Sequence, residues 1–208
     1  SRMDDATAII VAGTPGVGKS TISSMLLTEL GCNNVVEPSE VAVREGLGRP
    51  DPERPGTLII DEEGLLRAVA SRLMGPCTLI PTHYPSLFLD WEEFNVNVPF
   101  VLLLRLNPLV LEERLMSRGW QRRKVLENVM AEALGSVAEE LLDYSDMTVE
   151  VDTTWLSPEE VLERSLGALS EWRVGITIDW LSDDRVAEAV AAWGRELDLY
   201  YDRVNYGG

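Results

Sequence analysis

The run Gly13-Thr14-Pro15-Gly16-Val17-Gly18-Lys19-Ser20 fits G-x-x-x-x-G-K-[ST] at every position. Its flanks narrow the possible folds further. Ala8-Ile9-Ile10-Val11-Ala12 before it is a short apolar run suited to a buried parallel strand. After it, Ile22, Met25, Leu26 and Leu30 recur at helical spacing, and Gly31 ends the helix. A strand, a glycine-rich turn and a helix in that order form a phosphate cradle. Gly13, Gly16 and Gly18 allow backbone N–H groups to turn inward, and the helix N-terminus adds the positive end of its dipole. Lys19 reaches the outer phosphates of a nucleoside triphosphate, Ser20 is the candidate metal ligand for Mg²⁺, and Thr21 follows in the same turn.

The rest of the chain repeats this alternation. Core strands are expected at residues 78–80, 100–104 and 148–151. Helices are expected at 41–47, 65–73, from Asn107-Pro108 to near Gly119, and from about 124 to 142. Asn107 is the expected cap of its helix, with Pro108 at the first helical position. Ser157-Pro158-Glu159-Glu160 forms a capping box for another helix. Ser182 is the expected cap of a last helix carrying Val186, Val190, Trp193 and Leu197 on one core-packing stripe. The resulting class is α/β, a three-layer parallel sheet with helices on both faces. The 208 residues suit a single domain, 1–208. Residues 37–55, rich in Pro, Gly and charge, read as a mobile insert.

The formal net charge is −17, which argues against a general nucleic-acid surface and favours a basic partner. No apolar stretch approaches the ~20 residues of a membrane span. The N-terminus lacks the build of a secretory signal, and Ser1 and Arg2, which precede Met3, read as a scar. Cys32 and Cys77 show no metal-ligand spacing, and there is one histidine, so a zinc site is not expected. Two free thiols in a reducing cytosol are expected instead, with a cytoplasmic location. Lys19 and Lys124 are the only lysines.

Two further constellations carry chemistry. Arg114, Arg118, Arg122, Arg123 and Lys124 gather five cations within eleven residues. Arg114 and Arg118 share a helix face, and Gly119 frees the loop that follows. Such cations can clamp transferring phosphates. Pro81-Thr82-His83 follows the strand at 78–80, at the edge where open α/β sheets bind ligands. Candidate catalytic residues are Lys19, Arg118 and His83.

With these motifs in view, residues 8–171 resemble the adenylate kinase isoenzyme-six family, found in archaea and in the eukaryotic nucleus. The resemblance rests on Gly13 to Thr21, and on Arg114-Leu115-x-x-Arg118-Gly119-Trp120 continuing through Lys124, Glu127-Asn128 and Glu132. It implies a P-loop NTPase core of nucleoside-monophosphate-kinase type, with an insert at about 36–59, a short lid at about 117–127 and an extension at about 173–208. It implies ATP contacts from Gly16, Gly18, Lys19, Ser20, Thr21 and Arg118. Arg44, Arg105, Arg114 and Lys124 are the candidate substrate-binding cations. The family places an acid two residues before the histidine, and this chain has Pro81 there. Thr82, Asp61 and Glu62 are candidate substitutes.

The expected reaction is transfer of the γ-phosphate of ATP to AMP or another nucleoside monophosphate, with ATPase activity. An acceptor phosphate is already an anionic nucleophile, so positioning and charge neutralisation suffice. The alternative implied by the resemblance is an ATP-hydrolysing assembly factor for the small ribosomal subunit, binding small-subunit ribosomal protein eleven.

Overall fold

A computed structural model describes residues 6–53, 57–91 and 93–205. The scar expected at Ser1 and Arg2 and residues 54–56 of the expected insert lie outside them. The chain divides into two compact units: one ends at Ala12 and resumes over Lys19–Leu102, and the other comprises Gly13–Gly18 and the chain from Leu103 on.

In the first unit, β1 (Ala6–Ala12) is buried from Ala8 onward, as its continuous apolar run requires. The helix α1 (Lys19–Leu30) buries Ile22, Ser23 and Leu26, and Gly31 at φ +66° turns the chain out of it. Then come β2 (Asn34–Val35), α2 (Pro38–Arg44), β3 (Gly48–Pro50), β4 (Leu58–Ile60), α3 (Glu62–Ala70), β5 (Thr78–Thr82) and β6 (Val96–Asn97). The strand β1 pairs in parallel with β5, from Ala8 opposite Thr78 to Ala12 opposite Thr82. The short strands β2 and β6 add in parallel to β5 and β1 respectively. The segment expected as an insert folds as α2 and the antiparallel β3–β4 hairpin. Two helices start earlier than expected. Pro38 opens α2 because its fixed φ suits the first turn, and the Asp61 side chain caps α3 at Gly64 N.

The expectation of two free thiols is corrected: Cys32 and Cys77 form a disulfide. Asn33 N donates to Cys77 O at 2.8 Å. That bond draws the exit of α1 alongside the entry to β5 and leaves the two Cα atoms 4.6 Å apart, within bridging range.

The second unit contains β7 (Val101–Arg105), whose first two residues belong to the first unit. It continues with α4 (Pro108–Ser117), α5 (Arg122–Ala133), α6 (Ser136–Glu139), β8 (Thr148–Asp152), α7 (Pro158–Ser170) and α8 (Asp184–Asn205). Asn107 caps α4 by accepting from Leu109 N at 2.9 Å. Both bonds of the Ser157–Glu160 capping box form. The single helix expected over 124–142 is instead broken after α5, where Gly135 adopts φ +69°. The cap of α8 is Asp183, whose carboxylate accepts from Arg185 N at 2.9 Å; Ser182 belongs to the preceding 3₁₀ turn, itself capped by Asp179. Of the expected stripe on α8, Val186 and Trp193 are buried and Val190 and Leu197 are half-buried. The architecture is α/β, with mostly parallel strands and helices. Among the described residues no helix is long and apolar enough to cross a membrane.

Candidate phosphate-binding site

The loop's geometry follows from its glycines. Gly16 at φ +97° and Gly18 at φ +104° adopt backbone conformations that side chains resist. Gly16 is constrained a second time: a Cβ there would lie 2.6 Å from Leu115 Cδ2 of α4. The turn closes where Val17 N donates to Thr14 O at 3.2 Å. Two side chains of the second unit hold this loop, one at its backbone and one at a side chain. Arg114 Nη1 donates to Gly16 O at 3.2 Å, and the fully buried Thr14 donates its hydroxyl to Glu132 Oε1 at 2.7 Å. Burial, and then the charge of nearby Arg118, lowers the pKa of the half-buried Arg114 guanidinium from its usual value. Arg118 is exposed at the C-terminal cap of α4.

Lys19 and Ser20 open α1 in the first unit. The Ser20 hydroxyl donates to the carboxylate of Glu37. Glu37 precedes α2 but makes no side-chain cap bond to it; its carboxylate also hydrogen-bonds the Glu40 side chain, which raises the Glu40 pKa. The proposed substitutes for an acid at Pro81 act differently. Asp61 caps α3, and Thr82 accepts from Tyr84 N at 3.0 Å. A serine hydroxyl with one carboxylate suits Mg²⁺, which keeps several waters and takes few protein ligands. Among the described residues no group of three or more His, Cys, Asp or Glu gathers as a metal set. His83 follows β5 and its ring lies tilted by 43° against that of Tyr84, with ring centroids 3.9 Å apart. Burial, with a smaller contribution from the Lys19 charge, lowers its pKa to about 4, so it is neutral at pH 7.

The remaining cations separate. Arg122 is paired to Glu112 at 3.0 Å and Glu196 at 2.8 Å, and its pKa is raised first by the bond to Glu196. Arg123 and Lys124 both reach Glu127, at 3.7 and 3.5 Å. Of the five clustered cations, then, Arg114 touches the loop, and Arg122, Arg123 and Lys124 pair with acids. Arg105 is 2% exposed and paired with Glu132 and Glu150, so its guanidinium faces carboxylates instead of solvent. Arg44 lines a groove of about 380 Å³ in the first unit, together with Glu37, Glu40, Val41 and Arg72. Sequence reasoning did not single out Glu37 or the Thr14–Glu132 bond. The signal for Glu132 was present: it extends the buried stripe of Val125, Leu126 and Val129 on α5.

An α/β core with this loop defines a P-loop nucleotide-binding protein of the kinase type. The chain belongs to the family described as "AAA domain", whose model matches residues 9–135. Its relatives include a protein of Sulfurisphaera tokodaii named "Putative adenylate kinase", 32% identical over 95% of this chain and 98% of the relative. A protein of the same name from Thermococcus onnurineus is 36% identical over 86% of this chain and 95% of the relative. Among solved structures, a gluconokinase from Sinorhizobium meliloti 1021 matches with TM-score 0.53 and 20% identity, over 80% of this chain and 93% of that one. A thymidylate kinase from Candida albicans matches with TM-score 0.52 and 15% identity, over 81% and 93%. These structures bear on the fold alone.

Proposed function

We propose that the protein is an adenylate kinase of the isoenzyme-six type, transferring the γ-phosphate of ATP to AMP, with ATPase activity. The observation that carries this reading is the Arg114–Gly16 bond: α4 braces the loop with a guanidinium whose pKa is lowered first by burial and then by the charge of a second one, Arg118. Two like charges held together favour an anion, and the phosphates of ATP supply one. Lys19 meets charge that develops on the transferring group, and the loop N–H groups orient the phosphates. Mg²⁺, when bound, neutralises phosphate charge; Ser20 and Glu37 are the groups that would hold it and its waters. Arg44 is the candidate cation for the monophosphate. The relatives' shared name supports adenylate kinase over other acceptors.

The alternative, an assembly factor acting on a basic ribosomal protein, is favoured by the charge of −17. Product analysis with ATP–Mg²⁺ and each nucleoside monophosphate in turn separates the two. ADP formed in pairs from ATP and AMP supports the kinase. Phosphate release alone, unchanged by any monophosphate, supports the alternative. Lys19→Ala is the control: it should abolish both activities while the circular dichroism spectrum stays that of the parent, and retained turnover would refute the phosphate-loop assignment.

A further inference from the structure

Glu132 occupies the inner stripe of α5 and is 2% exposed. A carboxylate so placed is costly unless donors satisfy it. Four do. Oε1 accepts from Thr14 Oγ1 at 2.7 Å. Oε2 accepts from Arg105 Nε at 3.0 Å, Leu106 N at 3.1 Å and Trp180 Nε1 at 2.9 Å. Arg105 is held in turn by Glu150 Oε2 at 2.9 Å, and its guanidinium lies 5.8 Å from the Trp180 ring centroid. Glu150 Oε1 accepts from Thr177 N at 2.8 Å and Ile178 N at 3.1 Å. One buried network therefore joins the phosphate loop to β7, α5, β8 and the segment that follows α7.

We propose that Glu132 is a positioning residue that fixes the shape of the phosphate loop through the Thr14 hydroxyl, with Arg105 and Trp180 holding its carboxylate in place. Thr14 carries the carbonyl that closes the turn onto Val17 N. Holding its side chain therefore fixes where the turn begins, while Arg114 fixes the Gly16 carbonyl. A loop gripped at two points presents its N–H groups without an ordering cost when phosphates arrive. Arg105 thus acts on the loop through Glu132 and does not itself touch a substrate. The segment after α7 takes part through the Trp180 indole. This inference rests on the phosphate-binding reading of the loop and is independent of which acceptor is used.

The test compares Thr14→Val, which keeps the shape and removes the hydroxyl, with Thr14→Ser, which keeps the hydroxyl. Glu132→Gln is the second pair member. Its amide N–H donates to a reversed Thr14 hydroxyl, and its amide oxygen keeps the other three donors. Calorimetry gives the Kd of ATP and ADP, and melting with and without ATP gives the ligand-induced rise in Tm. Thr14→Val should weaken ATP binding about tenfold, the scale of one buried hydrogen bond, and remove most of the ATP-induced rise. Thr14→Ser should recover the parent values, and Glu132→Gln should bind ATP far better than Glu132→Ala. The serine rescue separates positioning from a general loss of stability. Parent-like ATP affinity in Thr14→Val overturns the proposal, as does a serine variant as weak as the valine one. Should Glu132→Ala not fold, the Thr14 pair decides alone. If the variants differ in this way but the parent makes no ADP from AMP, the kinase reading fails and the positioning role stands. If the parent binds no nucleotide, both fail.

Discussion

Arg114 and Gly16 are joined by a 3.2 Å hydrogen bond from guanidinium to carbonyl oxygen, so one of the paired arginines on α4 shapes the phosphate loop. Its neighbour Arg118 stands exposed at the end of the same helix. The two are therefore expected to act at different stages. Arg114 acts on the resting loop and should matter for binding, whereas Arg118 is available to phosphates that change charge during transfer.

Arg118→Ala should lower kcat more than it raises the Kd for ATP, because a cation engaged mainly at the transition state is felt there. Arg114→Ala should do the reverse and weaken ATP binding first. Steady-state kinetics beside calorimetric ATP binding on both variants checks the split. A pure affinity loss in Arg118→Ala would contradict the assignment.

Glu37 accepts from the loop serine, which puts a carboxylate beside Ser20 in a chain that has Pro81 where an acid was expected. Glu37→Gln keeps the size and loses the charge that would order waters on a bound divalent cation. The variant should require about tenfold more Mg²⁺ for half-maximal activity, and Mn²⁺ should bind more weakly by paramagnetic resonance. Unchanged Mn²⁺ affinity would return Glu37 to a purely structural bond with Ser20.

The Cys32–Cys77 bridge closes a separation of 45 residues in the first unit. Such a loop restricts the unfolded chain, and removing the bridge should lower stability by about 2–4 kcal/mol. Urea unfolding of the parent with and without reductant, compared with the Cys32→Ser/Cys77→Ser variant, measures this. Reductant should have no effect on the double variant. Equal midpoints for the oxidised and reduced parent would show that the bridge adds nothing.

What could be read in the sequence was local. The phosphate loop, the Asn107 cap and the Ser157 box each lie within one short run; the caps are made by hydrogen bonds two or three residues apart, and the loop's turn by its glycines. The glycine at 135 was visible, but its effect on α5 was not, because a lone glycine is tolerated in many helices. Long-range pairings were not legible. Nothing in the spacing of Cys32 and Cys77 says that α1 exits beside the start of β5. Ser20 meets Glu37 only once α1 and β2 have brought the chain back. Arg105 was counted among the candidate substrate-binding cations; Glu132 and Glu150, far off in sequence, pair with it instead. A charged residue on an otherwise apolar helical stripe, as Glu132 is, was the one clue that a buried network had to exist.

His83 is the residue expected to separate the two activities proposed for the chain. Burial and the Lys19 charge hold its pKa near 4, so it is a neutral hydrogen-bonding group across physiological pH. Hydrolysis needs a water placed in line with the γ-phosphate, whereas transfer needs only the acceptor phosphate there. As the polar group following the strand end occupied by Pro81, His83 is the candidate to orient that water. His83→Ala should lower phosphate release without AMP by about 10²-fold, with a smaller loss in ADP formation when AMP is present. Because the imidazole is already neutral, ATPase activity should show no inflection from it between pH 6 and 8. Stability carries the other signature. A folded pKa below the unfolded value of 6.5 means that the unfolded chain binds the proton first. The contribution is therefore intact above pH 6.5 and is lost as pH falls toward 4, by about 3 kcal/mol in full. His83→Gln should flatten that part of the stability profile. Equal losses of both activities in His83→Ala would mean that the residue shapes a shared site, and a stability profile unchanged by His83→Gln would show that the imidazole is not held neutral by its surroundings.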